Sequence, residues 1–211
     1  MNGLVGFLST VAAASIVGLM QQAPSKPPTP SAPGAQGQPN VPAGHPQIPL
    51  PKVADDWPKA NPDDVASLDG IMRAFYEATA GGPGQPRQWD RWRSLFVPQA
   101  RLIPARSGPD GTAGAFFLSP TDYVEANKTY FEKGGFSDRE VARRVEAFGH
   151  IVHVWSTYES RRRAEDPQPY LRGINSIQLL KDNDRFWIVN VFWDYERPDA
   201  MIPAKYLKQP E

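Results

Sequence analysis

After Gly135 the spacing of apolar residues changes from a helical repeat to every second position, and it keeps that period almost to the end of the chain. The segments REVARRVEAFG, HIVHVWSTYESRR, YLRGINSIQLL and DRFWIVNVFWDYE are rich in β-branched and aromatic residues. Turn signals separate them at Phe148-Gly149, Ala164 to Pro169 and Lys181 to Asp184. A period of two sends alternate side chains to opposite faces of a strand, so these segments predict an antiparallel meander. RLIPAR, from Arg101, and GAFFL, from Gly114, add short strands upstream.

Helical patterns precede the sheet. Asn61 as cap, Pro62 at the first helical position and two acids in the first turn open a helix that carries Val65, Leu68, Met72, Phe75 and Thr79 on one side and stops at GGPGQP. A short second helix, PRQWDRWRSLF, presents Trp89, Trp92, Leu95 and Phe96. A third is capped by Ser119 with Pro120 behind it, carries Tyr123, Ala126, Tyr130 and Phe131, and stops at Gly134 and Gly135. Helices first and a sheet second make an α+β domain over residues 55–203, with a C-terminal tail at 204–211.

The first 54 residues cannot belong to that core. Leu4 to Met20 is an uninterrupted apolar run, and the first charged side chain is Lys26, so residues 1–23 read as an export signal or, if retained, as an N-terminal membrane anchor. Residues 24–54 form a linker: ten prolines in the 28 residues from Pro24 to Pro51 fix φ and remove backbone donors, which predicts an extended, disordered tether. The expected location is secreted or periplasmic, with any membrane contact made through the N-terminal segment. Lys plus Arg and Asp plus Glu each number 23, so nothing marks a nucleic-acid surface; no cysteine is present, which excludes thiolate chemistry and cysteine metal sites.

The segments IMRAFYEATAGG, WDRWRSLFVPQARLI and DRFWIVNVFWDYE, in that order, resemble the superfamily of nuclear transport factor 2-like (NTF2-like) domains, which includes the SnoaL-like polyketide cyclases and the ketosteroid isomerases. The resemblance covers roughly Pro62 to Arg197. It implies a cone-shaped, bent antiparallel sheet with about three N-terminal helices packed in its concave face and a pocket between them. Gln99 stands where that family usually has Asp, and Phe186 takes the position of its usual Trp. The catalytic Asp and Tyr of ketosteroid isomerases have no evident counterparts.

Candidate site residues follow from strand pairing, because opposite residues of antiparallel strands share a face. One face gathers His153, Glu159, Asn175, Asn190 and Asp194 among aromatics; His153 and Asp194 are the catalytic candidates, and Asn175 and Asn190 the ligand-binding ones. Tyr76, Trp92 and Tyr123 join them from the helices. If the opposite face lines the pocket, the candidates become Tyr158, Arg172 and Gln178. A one-residue slip in either turn exchanges the two sets. Both faces carry large apolar side chains, so helices should cover one and a second subunit the other, making a homodimer.

Other patterns carry less. His150 and His153 point to opposite faces of a strand and GGPGQP lacks the Lys-Ser/Thr of a phosphate loop, so no metal and no cofactor are expected. Arg139, Arg143, Arg144, Arg161, Arg162, Arg163 and Arg172 either bind an anion or pair with the glutamates interspersed among them. The expected function is a small-molecule-binding or dimeric interaction module whose ligand is a small hydrophobic or anionic molecule. The alternative is an acid-base enzyme of the polyketide cyclase, isomerase or dehydratase type.

Overall fold

Two side-chain caps, not one, shape the start of the domain. Asn61 accepts from the Asp63 N–H and begins α1, Pro62–Val65; Ser67 accepts from the Gly70 N–H and begins α2, Leu68–Glu77. The single helix expected over this stretch is therefore split at Ala66-Ser67. The computed structural model describes residues 53–108 and 110–208. Residues 1–23 and all but the last two residues of the expected linker 24–54 lie outside the described residues, as do 209–211 of the expected tail.

The third helix, α3, Trp89–Arg93, is held to α1 by an ion pair: Arg91 Nε and Nη2 each lie 2.7 Å from a carboxylate oxygen of Asp64, which is buried. The fork-on-fork geometry favours the ionised carboxyl and holds Asp64 below the usual carboxylate range. Strand β1 spans Phe96–Ser107, β2 spans Ala113–Ala115, and α4, Pro120–Gly134, starts from a reciprocal capping box between Ser119 and Asp122. The helix stops at Gly135, whose φ of +73° suits glycine and where a Cβ would run into the Arg162 carbonyl. The loop between α2 and α3 is clamped to α4 by Arg87. This buried guanidinium donates to the carbonyls of Gly81, Gln85 and Phe131.

Four long strands follow: β3, Ser137–Phe148; β4, Ile151–Arg161; β5, Leu171–Asp182; β6, Arg185–Tyr195. The domain is α+β with one open six-stranded sheet in the order β2-β1-β6-β5-β4-β3. The four predicted strands form an antiparallel meander, as expected. The sheet as a whole is mixed, because β1 runs parallel to β6. The intervening α4 and three hairpins supply the long crossover that a parallel pair needs.

Two β-bulges set which residues face the helices. In β3 the pairing passes from Glu140↔Tyr158 to Ala142↔Thr157, leaving Val141 as an extra residue; in β6 it passes from Ile188↔Leu179 to Asn190↔Gln178, leaving Val189 extra. The helix-facing set is Val152, Val154, Ser156 and Tyr158 on β4, Gly173, Asn175, Ile177 and Leu179 on β5, and Ile188, Val191, Trp193 and Tyr195 on β6. Val154, Ile177 and Ile188 are fully buried there against Ile71, Met72, Leu95 and Phe96.

The face sets predicted from sequence need correction. They paired odd-numbered residues of β4 with odd-numbered residues of β5, but Ser160 pairs with Leu171 across a loop of even length, so odd faces even: His153↔Gln178 and Ser156↔Asn175. The Val189 bulge then reverses the alternation halfway along β6. The outer face is crossed by the chain's last described segment, where a 3₁₀ turn at Ala204–Tyr206 lets the Tyr206 carbonyl accept from the buried Thr157 hydroxyl at 2.6 Å.

Gly173 makes room for the pocket. Its neighbour across the strands is Tyr158, whose ring lies over it: a Cβ at 173 would sit 2.6 Å from the Tyr158 hydroxyl and 2.6 Å from the Asp194 carbonyl. Gly173→Ala should therefore lower stability by about 1 to 3 kcal/mol through overpacking, read as a drop in thermal midpoint accompanied by a change in tyrosine near-ultraviolet circular dichroism.

Candidate functional site

The helices do not fill the concave face. Between α2, α3 and α4 on one side and the sheet on the other lies a cavity of about 490 Å³. Its wall is overwhelmingly aromatic: Phe75, Tyr76 and Trp92 from the first helices, Tyr123, Tyr130 and Phe131 from α4, and Tyr158, Trp193 and Tyr195 from the strands. The rings hold one another in place. Tyr123 stacks on Trp92 with centroids 5.0 Å apart and meets Trp193 edge-on at 6.1 Å.

The polar groups at the floor form a directed chain. Asn175 Nδ2 donates to the Tyr76 hydroxyl at 3.0 Å, Tyr76 donates to Ser156 Oγ at 2.6 Å, and Ser156 donates to a Glu140 carboxylate oxygen. Glu140 is in turn paired with Arg143, which reaches Asp69 at 2.6 Å. Each hydroxyl is committed to the next acceptor, so these groups tie α2 to three strands and leave little free donor capacity. Burial is the main cause that pushes the Tyr76 phenol far above its ordinary range.

One group in the wall is not satisfied in this way. Asp138, at the second position of β3, has its Oδ1 buried without a hydrogen-bond partner. Its carboxyl is pushed up to about 7, chiefly by burial, with the Ser160 hydroxyl opposing the shift. The side chain keeps some accessible surface because it borders the cavity. Its negative charge contributes to raising the phenols of Tyr76, Tyr123, Tyr158 and Tyr170, which line the same cavity; Tyr170 is pushed up to about 12, mainly by burial. A carboxyl poised near neutrality in an aromatic chamber can take or give a proton, or donate a hydrogen bond while neutral.

The structure brings Tyr76, Trp92, Tyr123, Tyr158 and Asn175 together in the cavity wall and places the other candidates outside it. His153 and Asp194 lie on the outer face: His153 bonds the Ser176 hydroxyl at 2.9 Å, and Asp194 pairs with Arg197 at 2.8 Å. Asn190 and Gln178 oppose each other on that same face, and Arg172 pairs there with Glu196 at 3.4 Å. Among the clustered arginines, Arg139 and Arg161 share Glu159 and Arg143 takes Glu140, so for these the ion-pair alternative holds. Asp138 went unread because the predicted strand began one residue later, at Arg139. Extending the period of two backward from Glu140 would have found it. Among the described residues no three His, Asp or Glu side chains converge as a metal set.

No family model matches the chain, and no curated protein matches it. Solved structures do. An NTF2-like protein of unknown function from Shewanella baltica OS155 is 13% identical, over 60% of this chain and 89% of that one, with a TM-score of 0.41. A protein of unknown function with a cystatin-like fold from Nostoc punctiforme PCC 73102 is 9% identical over 62% and 90%, at 0.46. An NTF2-like protein of unknown function from Silicibacter pomeroyi DSS-3 is 13% identical over 62% and 94%, at 0.44. The chain is similar to NTF2-like and cystatin-like proteins. The fold itself stands on the strand order and on the helices covering one face.

The raised Asp138 carboxyl makes a signed prediction. Its folded range lies above the unfolded one, so the native state binds more protons between about pH 4 and pH 7, and stability falls as pH rises through that window. The loss amounts to at most about 4 kcal/mol. Asp138→Asn removes it. The variant should match the wild type near pH 4 and exceed it increasingly up to pH 7 in denaturant midpoints; a constant difference across that range would refute the buried-carboxyl reading.

Proposed function

We propose that this domain binds a small, largely apolar molecule in its aromatic cavity. The observation that carries the reading is the cavity of about 490 Å³ lined by stacked aromatic rings, with a single carboxyl, Asp138, among them. Apolar walls with a few converging polar groups are the usual make-up of ligand sites, and this volume suits a two- or three-ring compound. A hollow core also forgoes packing that a purely structural domain would keep.

N-phenyl-1-naphthylamine, a neutral two-part aromatic probe, should bind the wild-type domain and quench Trp92 and Trp193. Ala126 lies on the exposed rim of α4 and lines the opening, so Ala126→Trp should plug it without disturbing the core. We expect probe affinity to fall at least about tenfold with the thermal midpoint little changed. Unaltered binding would sink the cavity reading.

A second reading has its own support. Asp138 lines the cavity together with Tyr76, Tyr123, Tyr158 and Tyr170, and a carboxyl pushed up to about 7 suits proton abstraction beside a carbonyl. If the cavity is catalytic, a cyclic ketone incubated with the protein in deuterium oxide will lose an α-proton to the Asp138 carboxylate and regain a deuteron. The rate will rise through about pH 7 and vanish in Asp138→Asn. Exchange no faster than in buffer would leave the domain a binder.

The apolar run at Leu4–Met20 and the proline-rich stretch behind it support export of the chain, and the partly exposed Val189 and Phe192 on the outer face support self-association. Mass spectrometry of native protein should find an N-terminus beyond residue 20, and sedimentation should find twice the chain mass. An intact Met1 in a soluble fraction, or a monomer at micromolar concentration, would overturn the respective proposal.

A further inference from the structure

The lining residues that remain exposed mark the mouth of the cavity: Arg106 from β1, Phe116 beyond β2, Ala126 and Tyr130 from α4, and Tyr170 before β5. Phe116 is 60% exposed, Tyr130 51% and Tyr170 46%, whereas Trp92 and Tyr158 deeper inside are almost fully covered. Two guanidinium groups stand at this mouth. Arg106 lies 5.2 Å from the centroid of Tyr195, and its one side-chain hydrogen bond among the described residues goes to the neighbouring Ala105 carbonyl. Arg162 lies over both Tyr130, at 5.5 Å, and Tyr170, at 4.9 Å, and donates to the Tyr130 hydroxyl at 3.1 Å.

Neither arginine has a carboxylate partner among the described residues, and neither do Arg87, Arg101, Arg144, Arg163 and Arg185; of these seven, Arg106 and Arg162 are the two that lie over tyrosines of the cavity wall. Contact with the tyrosine faces restrains each guanidinium while most of its donors have no partner among the described residues, a state suited to binding an oxyanion. Deeper in, Asp138 is the one acidic residue of the wall, so an anion entering the mouth meets no opposing cluster of charge.

We infer that the cavity's ligand is an amphipathic anion, with a ring-based apolar body lodged among the aromatics and a carboxylate, sulfonate or phosphate head held at the mouth by Arg106 and Arg162. This inference rests on the cavity-binding reading above and adds the chemical class of the ligand. A cationic ligand would meet two like charges at the entrance. A neutral one would leave both guanidinium groups without an anion.

The test compares two probes that differ by one group: 8-anilinonaphthalene-1-sulfonate and N-phenyl-1-naphthylamine, the same rings without the sulfonate. In the double variant Arg106→Gln, Arg162→Gln the sulfonate should bind about tenfold more weakly, as loss of rim charge contacts implies, while the neutral probe stays within about twofold. Raising sodium chloride from about 0.05 M to about 0.5 M should weaken the sulfonate in the wild type and not in the double variant. Arg144→Gln removes an exposed arginine from the far part of β3 and should leave both probes unaffected. If the double variant binds the sulfonate as the wild type does, or if Arg144→Gln weakens it equally, the head-group inference is wrong and the neutral probe's binding still stands. If neither probe binds, or Ala126→Trp leaves both unchanged, the cavity reading fails and this inference with it.

Discussion

The hydrogen-bonded chain from Asn175 through Tyr76 and Ser156 to Glu140 sets the distance between α2 and the sheet. A helix laid on a sheet normally closes until its side chains interdigitate. Here the Tyr76 hydroxyl must meet partners on two adjacent strands, and Ser156 passes the chain on to Glu140 on a third. Removing any member would strand buried polar partners at about 1 to 3 kcal/mol each, so the helix is held by polar geometry as much as by apolar contact. The cavity lies beside this support, with Phe75 and Tyr76 from the same helix forming part of its wall.

Against that support, Asp138 is a local cost. Its carboxyl is raised by burial and one oxygen is without a partner, whereas Asp64, also removed from solvent, is stabilised by a two-pronged arginine. The two acids show what the fold does with buried charge: where structure is the purpose, a guanidinium accompanies it; in the cavity, nothing in the described residues does. Unsatisfied buried polar groups are uncommon in folded proteins, and they concentrate where a site is kept ready for something else.

Much of this was legible in the sequence. Period-two spacing located all four long strands, the pairs Asn61-Pro62 and Ser119-Pro120 located helix starts, and Tyr76, Trp92, Tyr123, Tyr158 and Asn175 were picked out and do stand in the wall. What failed was parity. The face of every residue on β5 depends on whether the loop from Arg161 to Tyr170 holds an odd or even number of residues between paired positions, and alternation alone does not count them. The bulge at Val189 has no composition signal, since a valine there reads as one more strand residue. The parallel partnership of β1 with β6 is a long-range choice that local pattern does not encode. Parity and the bulge put His153, Asp194, Asn190, Arg172 and Gln178 on the outer face, while Asp138 stayed unread because the predicted strand began at Arg139.

The extra residue in β6 carries a consequence for how such a wall can change. Before Val189 the inward residues are even-numbered, and after it they are odd-numbered, ending in Val191, Trp193 and Tyr195. If β6 paired through Val189 without the bulge, strict alternation would turn Asn190, Phe192 and Asp194 inward in place of Val191, Trp193 and Tyr195. One extra residue in β6 thus decides three wall residues together, a larger step than any one substitution takes.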